Sequence, residues 1–130
     1  MKSPLVLCVD DDHAIRDLYK VAFATRGHTV MAANDGHHAL RVLQDKLQEI
    51  DAVIVDYDMP GMNGFELAVQ VKYVAPQIPI LMVSGFHPEL AAMTPYVNAA
   101  IGKGVPIMNI VGCLESLLDK VSNENQTLSA

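Results

Sequence analysis

The sequence predicts an α/β fold in which helices cover both faces of a five-stranded, mainly parallel sheet. Five short apolar runs recur at residues 4–9, 28–32, 52–55, 78–83 and 97–101. Continuous runs rich in β-branched residues, without polar alternation, are typical of strands that are buried on both faces. Successive runs begin 19 to 26 residues apart, which leaves room for the crossover helix that parallel strands require. This alternation favours an open, doubly wound sheet.

The segments between the runs carry the spacing of amphipathic helices. Their apolar stripes are Ile15, Leu18, Tyr19, Ala22 and Phe23; then Ala39, Leu40, Leu43 and Leu47; then Phe65, Ala68 and Val69; and finally Ile107, Ile110, Val111, Leu114, Leu117, Leu118 and Val121. Gly27 lies where the first helix should end, and Asn63 with Glu66 forms a capping-box pattern at the start of the third. Residues 87–94 allow little more than two helical turns before Pro95.

Composition narrows the classes of protein to which the chain can belong. With 130 residues, 51% of them hydrophobic, it fits one domain with a sizeable core. Nine basic against 15 acidic residues give a net charge of −6, which argues against direct binding to nucleic acid or to an anionic membrane. The longest apolar runs fall well short of the roughly 20 residues that a membrane span needs. Two cysteines, both within apolar patterns, favour a reducing compartment, and we expect a cytoplasmic protein.

The predicted helical pattern ends near Val121. Residues 122–130 show no apolar period, so the sequence predicts a domain over residues 1–121 and a flexible C-terminal tail over residues 122–130.

Charged and polar side chains follow four of the predicted strands, at the edge where such sheets bind ligands. They are Asp10, Asp11 and Asp12 after the first strand, Asp56 and Asp58 after the third, Ser84 after the fourth and Lys103 after the fifth. Two carboxylates about 4 Å apart repel by roughly 4 kcal/mol at an effective dielectric of 20. A hard cation such as Mg²⁺ relieves that repulsion. A metal, an ammonium and a hydroxyl at one edge favour a site for a phosphoryl group.

Helix capping is the alternative explanation for these acids, because Asp is common at helix starts and in turns. Asp12 alone fits equally well as the N-cap of the first helix. Capping does not account for Asp10, Asp11 and Asp56 together, because it would leave the repulsion among their carboxylates uncompensated.

The motifs that contain these residues resemble those of response regulator receiver domains, over nearly the whole chain from about residue 5 to residue 121. The matching motifs are Val9-Asp10-Asp11, Ser84, Lys103 and the segment 55–64, Val-Asp-Tyr-Asp-Met-Pro-Gly-Met-Asn-Gly. Within that segment, Asp-x-x-Met-Pro-x-x-x-Gly after a buried strand is typical of the family. The resemblance implies a flavodoxin-like sheet with strand order 2-1-3-4-5.

The same resemblance implies a role for each acidic residue. Asp56 would be the nucleophile that accepts a phosphoryl group from a phosphohistidine of a sensor histidine kinase or a phosphotransfer protein. Asp11, Asp56 and the backbone carbonyl of Asp58 would bind Mg²⁺ directly, and Asp10 would act through water.

Ser84 and Lys103 would bind the phosphoryl oxygens, and their movement would carry the signal to an unidentified downstream protein. A homodimer is left open. On this interpretation the protein is a signalling domain in a two-component system rather than an enzyme, with slow autodephosphorylation at most. Gly85 leaves the flank of the site open to water, which predicts a short-lived phosphorylated state.

The chain also departs from the family pattern. Gly104 stands where a proline usually follows the site lysine, and Ala100 stands where the family's aromatic switch residue is expected. Together with the short segment 87–94, these departures support an alternative, a degenerate receiver that binds a partner without phosphorylation. A haloacid dehalogenase-like phosphatase also uses an Asp-x-Asp pair, a hydroxyl, a lysine and Mg²⁺. That pair normally lies near the start of a larger chain, so this third hypothesis fits less well.

Overall fold

The computed structural model describes residues 3–85 and 95–129. The strands are β1 (Leu5–Val9), β2 (Thr29–Ala33), β3 (Ala52–Asp56), β4 (Ile80–Ser84) and β5 (Ala99–Gly102). The helices in the described ranges are α1 (His13–Ala24), α2 (Gly36–Asp45), α3 (Gly64–Val74) and α4 (Ile107–Ser129). All strand pairs are parallel, in the order β2-β1-β3-β4-β5. The predicted fold class and strand order are confirmed.

Helices on both faces bury the central strands. Leu7 and Val53 pack on one face among buried residues of α2 and α3. Val6, Cys8 and Ile54 pack on the other among buried residues of α1 and α4. Every residue of β3 and β4 is buried, which is why these runs show no polar alternation.

Side-chain caps begin the helices next to the sheet's carboxyl edge. Asp12 accepts a hydrogen bond from an amide of the first turn of α1 at 2.9 Å. Asn63 and Glu66 form the predicted reciprocal capping box at the start of α3. Caps of this kind contribute about 1 kcal/mol each, because they satisfy amides that have no partner within the helix. At the other end of α1, Gly27 has a φ of 81°, so glycine allows the chain to turn there.

The buried face of α3 agrees with the predicted one only in part. Leu67, Ala68 and Val71 are buried, whereas Phe65 and Val69 are half-buried. The prediction is confirmed for Ala68, and Phe65 also packs against the core, whereas Val69 does not. Leu67 and Val71 were missed because α3 is apolar on several sides, so its spacing does not single out the face that packs on the sheet.

Helix α4 is longer than the sequence predicts and continues to Ser129. The expected loss of regular structure from residue 122 is not found. The side chains of Ser122, Asn123 and Glu124 are exposed, so these three positions place no side chain against the domain. Backbone hydrogen bonds can extend a helix beyond its apolar pattern, so α4 continues past Val121, the last residue of that pattern.

The short helix predicted over residues 87–94 lies outside the described residues. Within residues 3–85 and 95–129, none of the helices combines the length and the hydropathy that crossing a bilayer demands. The cytoplasmic location stays a prediction.

Candidate functional site

The carboxyl ends of β1 and β3 bring three acidic side chains together. The two strands are neighbours, with Val9 opposite Val55, so the residues that follow them meet at one edge. Carboxylate oxygens of Asp10, Asp11 and Asp56 lie within 4.8 Å of one another. Three hard oxygen donors at this spacing fit Mg²⁺, which prefers carboxylates and keeps several of its waters. The structure thus groups the three carboxylates for which the sequence predicts a metal role.

Hydrogen bonds fix Asp10 on three sides. Its amide donates to the carbonyl of Ala33 at 3.1 Å. Its carboxylate accepts from the Asp12 amide at 2.8 Å, and its own carbonyl accepts from the Arg16 guanidinium at 2.7 Å. One carboxylate oxygen of Asp10 is therefore held within its own loop.

Burial raises the pKa of Asp10 to about 6. The amide of Asp12 and the charge of Lys103 oppose this rise, whereas the negative charges of Asp56 and Asp11 add to it. The raised pKa of Asp10 therefore reflects mainly the burial of its carboxyl group, and the neighbouring carboxylates contribute less.

Asp56 is the last residue of β3 and is only 4% exposed. One of its oxygens, Oδ1, accepts from the Lys103 ammonium at 2.9 Å and from the Asp58 amide at 3.2 Å. Burial raises the pKa of Asp56, and the hydrogen bond and charge of Lys103 limit that rise. Lys103 therefore stabilises the ionised carboxylate, the form that can attack an electrophile.

Lys103 reaches the site from the end of β5 and lies between two carboxylates. Its Nζ is 2.9 Å from Asp56 Oδ1 and 3.4 Å from Asp58 Oδ2. Burial acts to lower the pKa of Lys103, but the hydrogen bonds and charges of Asp56 and Asp58 together raise it. The ammonium therefore stays protonated.

The role predicted for the Asp58 carbonyl stays a prediction.

Ser84 ends β4 and is 1% exposed. Its hydroxyl donates to the carbonyl of Gly85 at 2.8 Å, and its own carbonyl accepts from the amide of Lys103 at 2.7 Å. The backbone of Ser84 is thus tied to the lysine, while its hydroxyl is bonded within its own loop. A change in the side-chain torsion of Ser84 would be needed before this hydroxyl could donate to a phosphoryl group.

The loop after Lys103 explains one departure from the family pattern. Gly104 has a φ of 95°, a conformation that proline cannot adopt because its ring holds φ near −65°. The chain therefore leaves the site lysine along a path that excludes the usual proline. Ala100 is exposed on β5 and carries no ring.

Gly64 allows α3 to approach the loop after β3. A Cβ at this position would lie 2.6 Å from the carbonyl oxygen of Asp56 and 2.7 Å from the Cα of Tyr57. Neither atom belongs to a flexible side chain, so only glycine fits without a shift of the backbone.

A cavity of about 480 Å³ opens beside the acidic residues. Its polar side is formed by Asp10, Asp11, Asp12, Asp56, Asp58 and Lys103. Its remaining lining is mostly apolar and consists of Ile15, Leu18, Tyr19, Val83, Gly104, Val105, Ile107 and Ile110. The site is therefore open to a ligand on one side.

Arg16 is a site residue that the sequence alone did not reveal. It lies in the first turn of α1, where a cation is unfavourable because the helix dipole is positive there. The hydrogen bond that the Arg16 guanidinium donates to the Asp10 carbonyl at 2.7 Å offsets this unfavourable interaction with the helix dipole. A basic residue in an early turn beside an acidic loop was the signal that could have revealed it.

Comparisons with known proteins agree with this geometry. The family model described as response regulator receiver domain matches residues 6–105, and the chain belongs to this family. It is 30% identical to the sensor kinase CckA of Brucella abortus over 121 residues, which is 91% of this chain and 13% of CckA. It is 29% identical to the DNA-binding transcriptional regulator NtrC of Salmonella typhimurium over 129 residues, 97% of this chain and 27% of NtrC. The chain thus spans only a small part of these relatives.

Solved structures show the same fold. The chemotaxis protein CheY4 of Vibrio cholerae has a TM-score of 0.81 at 28% identity, covering 88% of this chain and 98% of CheY4. The response regulator TrrA of Thermotoga maritima, solved in complex with Mg(2+)-BeF, has a TM-score of 0.80 at 23% identity and covers 88% of this chain and 98% of TrrA. The chain is a receiver domain of the two-component signalling class.

Proposed function

We propose that this receiver domain is an active phosphoacceptor, with Asp56 as the residue that takes up the phosphoryl group. The observation that carries the proposal is the grouping of Asp10, Asp11 and Asp56 within 4.8 Å, with the Lys103 ammonium 2.9 Å from Asp56. Acids alone at this spacing would repel one another, whereas a cation site with a fixed ammonium is suited to a phosphoryl group.

The donor set fits Mg²⁺, and TrrA was solved with Mg(2+)-BeF. In this proposal Asp11, Asp56 and the Asp58 carbonyl hold the ion directly and Asp10 holds it through water. The bound ion supplies neutralisation of charge on the carboxylates and the phosphoryl oxygens.

The protein's own residues then have distinct roles. Asp56, ionised beside Lys103, attacks the phosphorus of a phosphohistidine on a sensor kinase or phosphotransfer protein. The bond between phosphorus and the imidazole nitrogen breaks, and the electron pair returns to the imidazole. Lys103 and Ser84 donate hydrogen bonds to the phosphoryl oxygens. For Ser84 this requires the hydroxyl to leave the Gly85 carbonyl, which it now contacts at 2.8 Å.

In this proposal, movement of the Ser84 hydroxyl and of Lys103 toward the phosphoryl group produces the signal. Release of the Ser84 hydroxyl and of Lys103 from their present partners changes the ends of β4 and β5, and a downstream protein binds the changed surface. The domain accepts one phosphoryl group and slowly hydrolyses its own acyl phosphate. It does not turn over a separate substrate. A homodimer stays a prediction.

A degenerate receiver is the second candidate. Ala100 favours it, because the family's aromatic movement cannot operate at this position. The complete set of site residues favours an active phosphoacceptor. In a receiver that is never phosphorylated, nothing would offset the repulsion among the clustered carboxylates. The phosphatase hypothesis is not proposed further, because the chain belongs to the receiver family.

Intact mass after incubation with acetyl phosphate and Mg²⁺ tests the proposal. The wild type should gain the mass of one phosphoryl group, and Asp56→Asn should gain none. Asp12→Asn is a matched control, because it removes one neighbouring negative charge yet can still cap α1. A wild type that stays unmodified while a known receiver domain is labelled in the same solution would support the degenerate receiver instead.

A further inference from the structure

Arg16 contacts the peptide group that joins two of the clustered acids. Its guanidinium Nη1 donates to the backbone carbonyl of Asp10 at 2.7 Å. That carbonyl belongs to the peptide group between Asp10 and Asp11. Because a peptide group is planar, fixing its oxygen restricts the backbone torsions on both sides of it, on which the directions of both side chains depend. Arg16 thus reaches the two acids through their shared backbone rather than through a carboxylate.

Asp11 is the member of the cluster that burial does not hold in place. Asp10 and Asp56 are buried, whereas Asp11 is exposed, yet its carboxylate lies within 4.8 Å of theirs. The Asp10 amide donates to the carbonyl of Ala33 at 3.1 Å, which holds the chain before the Asp10 side chain. The bond from Arg16 holds the chain after it, where the backbone enters Asp11. The direction of the exposed carboxylate therefore depends on this second bond.

The guanidinium is itself held against its own helix. Arg16 is half-buried, and its Nη2 lies 3.4 Å from His13 Nδ1. His13 Nε2 in turn lies 3.1 Å from Asp17 Oδ2, one helical turn further along α1. A guanidinium that is already ordered loses less rotamer freedom when it makes a further hydrogen bond. Helix α1 thus presents a pre-organised donor to the loop that precedes it.

Two effects of Arg16 on a bound cation have opposite signs. Its positive charge lies beside the backbone of a cluster residue and opposes the approach of Mg²⁺. Its hydrogen bond acts in the other direction, because carboxylates that already face one another need not be ordered when the ion binds. The sign of the net effect on Mg²⁺ affinity shows which of the two dominates.

On the basis of the proposed function, we infer that Arg16 is a positioning residue for Mg²⁺. By holding the peptide group between Asp10 and Asp11, it keeps both carboxylates turned toward Asp56. This ordering outweighs the repulsion by its charge, so Arg16 strengthens Mg²⁺ binding without being a ligand of the ion.

Calorimetric titration of the unphosphorylated protein with Mg²⁺ tests the inference. Arg16→Met removes the donor and its charge but keeps a long side chain. Its dissociation constant should rise about ten-fold, because loss of a group that orients metal ligands typically costs ten-fold or more in affinity. Lys20→Met is the matched control, since Lys20 is an exposed cation one turn further along the same helix. Its dissociation constant should equal that of the wild type or be lower.

Arg16→Lys separates the hydrogen bond from the charge. It keeps the positive charge, and its shorter side chain allows only a weaker bond to the Asp10 carbonyl. Its affinity for Mg²⁺ should therefore lie between those of the wild type and Arg16→Met. A purely electrostatic role predicts no change in Arg16→Lys and tighter binding in Arg16→Met. Urea unfolding checks that each variant is folded, and Arg16→Lys alone decides the question if Arg16→Met is not.

A signal without metal shows whether the hydrogen bond is present in solution. The carbonyl carbon-13 NMR signal of Asp10 should shift in Arg16→Met, because its oxygen loses a charged donor. In Lys20→Met the same signal should stay in place. An Asp10 carbonyl signal that is unchanged in Arg16→Met would contradict the contact on which the inference depends.

The outcomes distinguish the inference from the function on which it rests. If the wild type neither binds Mg²⁺ nor gains phosphoryl mass from acetyl phosphate, the proposed function fails and the inference fails with it. If the wild type does both, and folded Arg16→Met binds Mg²⁺ as tightly as the wild type or more tightly, the function stands and the positioning role of Arg16 is refuted.

Discussion

The Lys103 ammonium lies 2.9 Å from Asp56 Oδ1 and 3.4 Å from Asp58 Oδ2, although 45 or more residues separate it from each carboxylate in sequence. The pairing depends on the register of the sheet, because β4 lies between β3 and β5 and Ser84 stands opposite Gly102. The parallel strands thus deliver a cation to the most buried acid at the edge.

Removal of that cation should change how Asp56 titrates. In Lys103→Met the carboxylate loses its nearest positive charge, so the pKa of Asp56 should rise further above its ordinary range. Lys103→Arg should retain most of the original pKa. Carbon NMR titration of the Asp56 carboxyl group without Mg²⁺ measures the shift. Lys120→Met, at an exposed position of α4, is the control, and an unchanged Asp56 titration in Lys103→Met would contradict the assigned pairing.

Metal binding should stabilise the folded protein. If Mg²⁺ binds only the native cluster, a concentration ten times its dissociation constant adds about 1.4 kcal/mol to the free energy of unfolding. Urea unfolding with and without Mg²⁺ measures this gain. The gain should be lost in Asp11→Asn and kept in Asp12→Asn, which removes a charge next to the cluster rather than within it. Equal gains in both variants would show that the cluster is not where Mg²⁺ binds.

The pH dependence of stability should reveal Asp10. Its pKa is raised to about 6 by burial, so the native state binds the proton more tightly than the unfolded chain does. The corresponding stability is present at acidic pH and is lost as pH rises through about 6. Because Asp10 lies at a partly open cavity edge, we expect a loss of about 1 to 2 kcal/mol after allowance for solvent screening. Urea unfolding without Mg²⁺ between pH 4.5 and 8, with pH values chosen around that pKa, measures it. In Asp10→Asn the free energy of unfolding should depend less on pH. An equally steep pH dependence in this variant would show that another group causes the effect.

The sheet and the acidic cluster were predictable because their causes are local in sequence. Burial on both faces requires continuous apolar residues in β3 and β4, and parallel pairing places the residues after each strand at one edge. Those two rules place Asp10 and Asp56 at the same edge of the sheet, and the strand order implied by the family resemblance, with β1 beside β3, makes them neighbours.

Other features were not predictable because they depend on torsions and on contacts between distant elements. The turn of the Ser84 hydroxyl to Gly85 is one choice among rotamers that the sequence permits. The positive φ of Gly104 reflects the path of the whole loop between β5 and α4. Arg16 acquires its role only because α1 packs back over the loop that precedes it.

Gly64 should be needed for stability as well as for the site. Gly64→Ala places a Cβ 2.6 Å from the Asp56 carbonyl oxygen, and overpacking of this kind costs about 1 to 3 kcal/mol. Gly112→Ala is the matched control, because it lies in the interior of α4 with no atom within 4 Å of the added Cβ. There alanine should stabilise by about 0.5 to 1 kcal/mol. Thermal or urea unfolding of both variants measures the contrast, and a neutral Gly64→Ala would show that α3 can move away from the loop after β3.

The lifetime of the phosphorylated state should depend on the side chain at position 85. Among residues 3–85 and 95–129, chain neighbours aside, no atom lies within 4 Å of a Cβ added at Gly85, so these residues leave room for a larger side chain beside Ser84. Gly85→Val should obstruct the approach of water to the acyl phosphate and slow its hydrolysis by about five-fold, since exclusion of water is the main effect of such a group. Gly85→Ala should give a smaller effect in the same direction. Decay of the phosphoryl mass after removal of the donor measures the rate, with Gly112→Ala as a substitution far from the site. If Gly85→Val decays as fast as the wild type, water reaches the phosphoryl group from another side, such as the cavity bordered by Leu18 and Ile107.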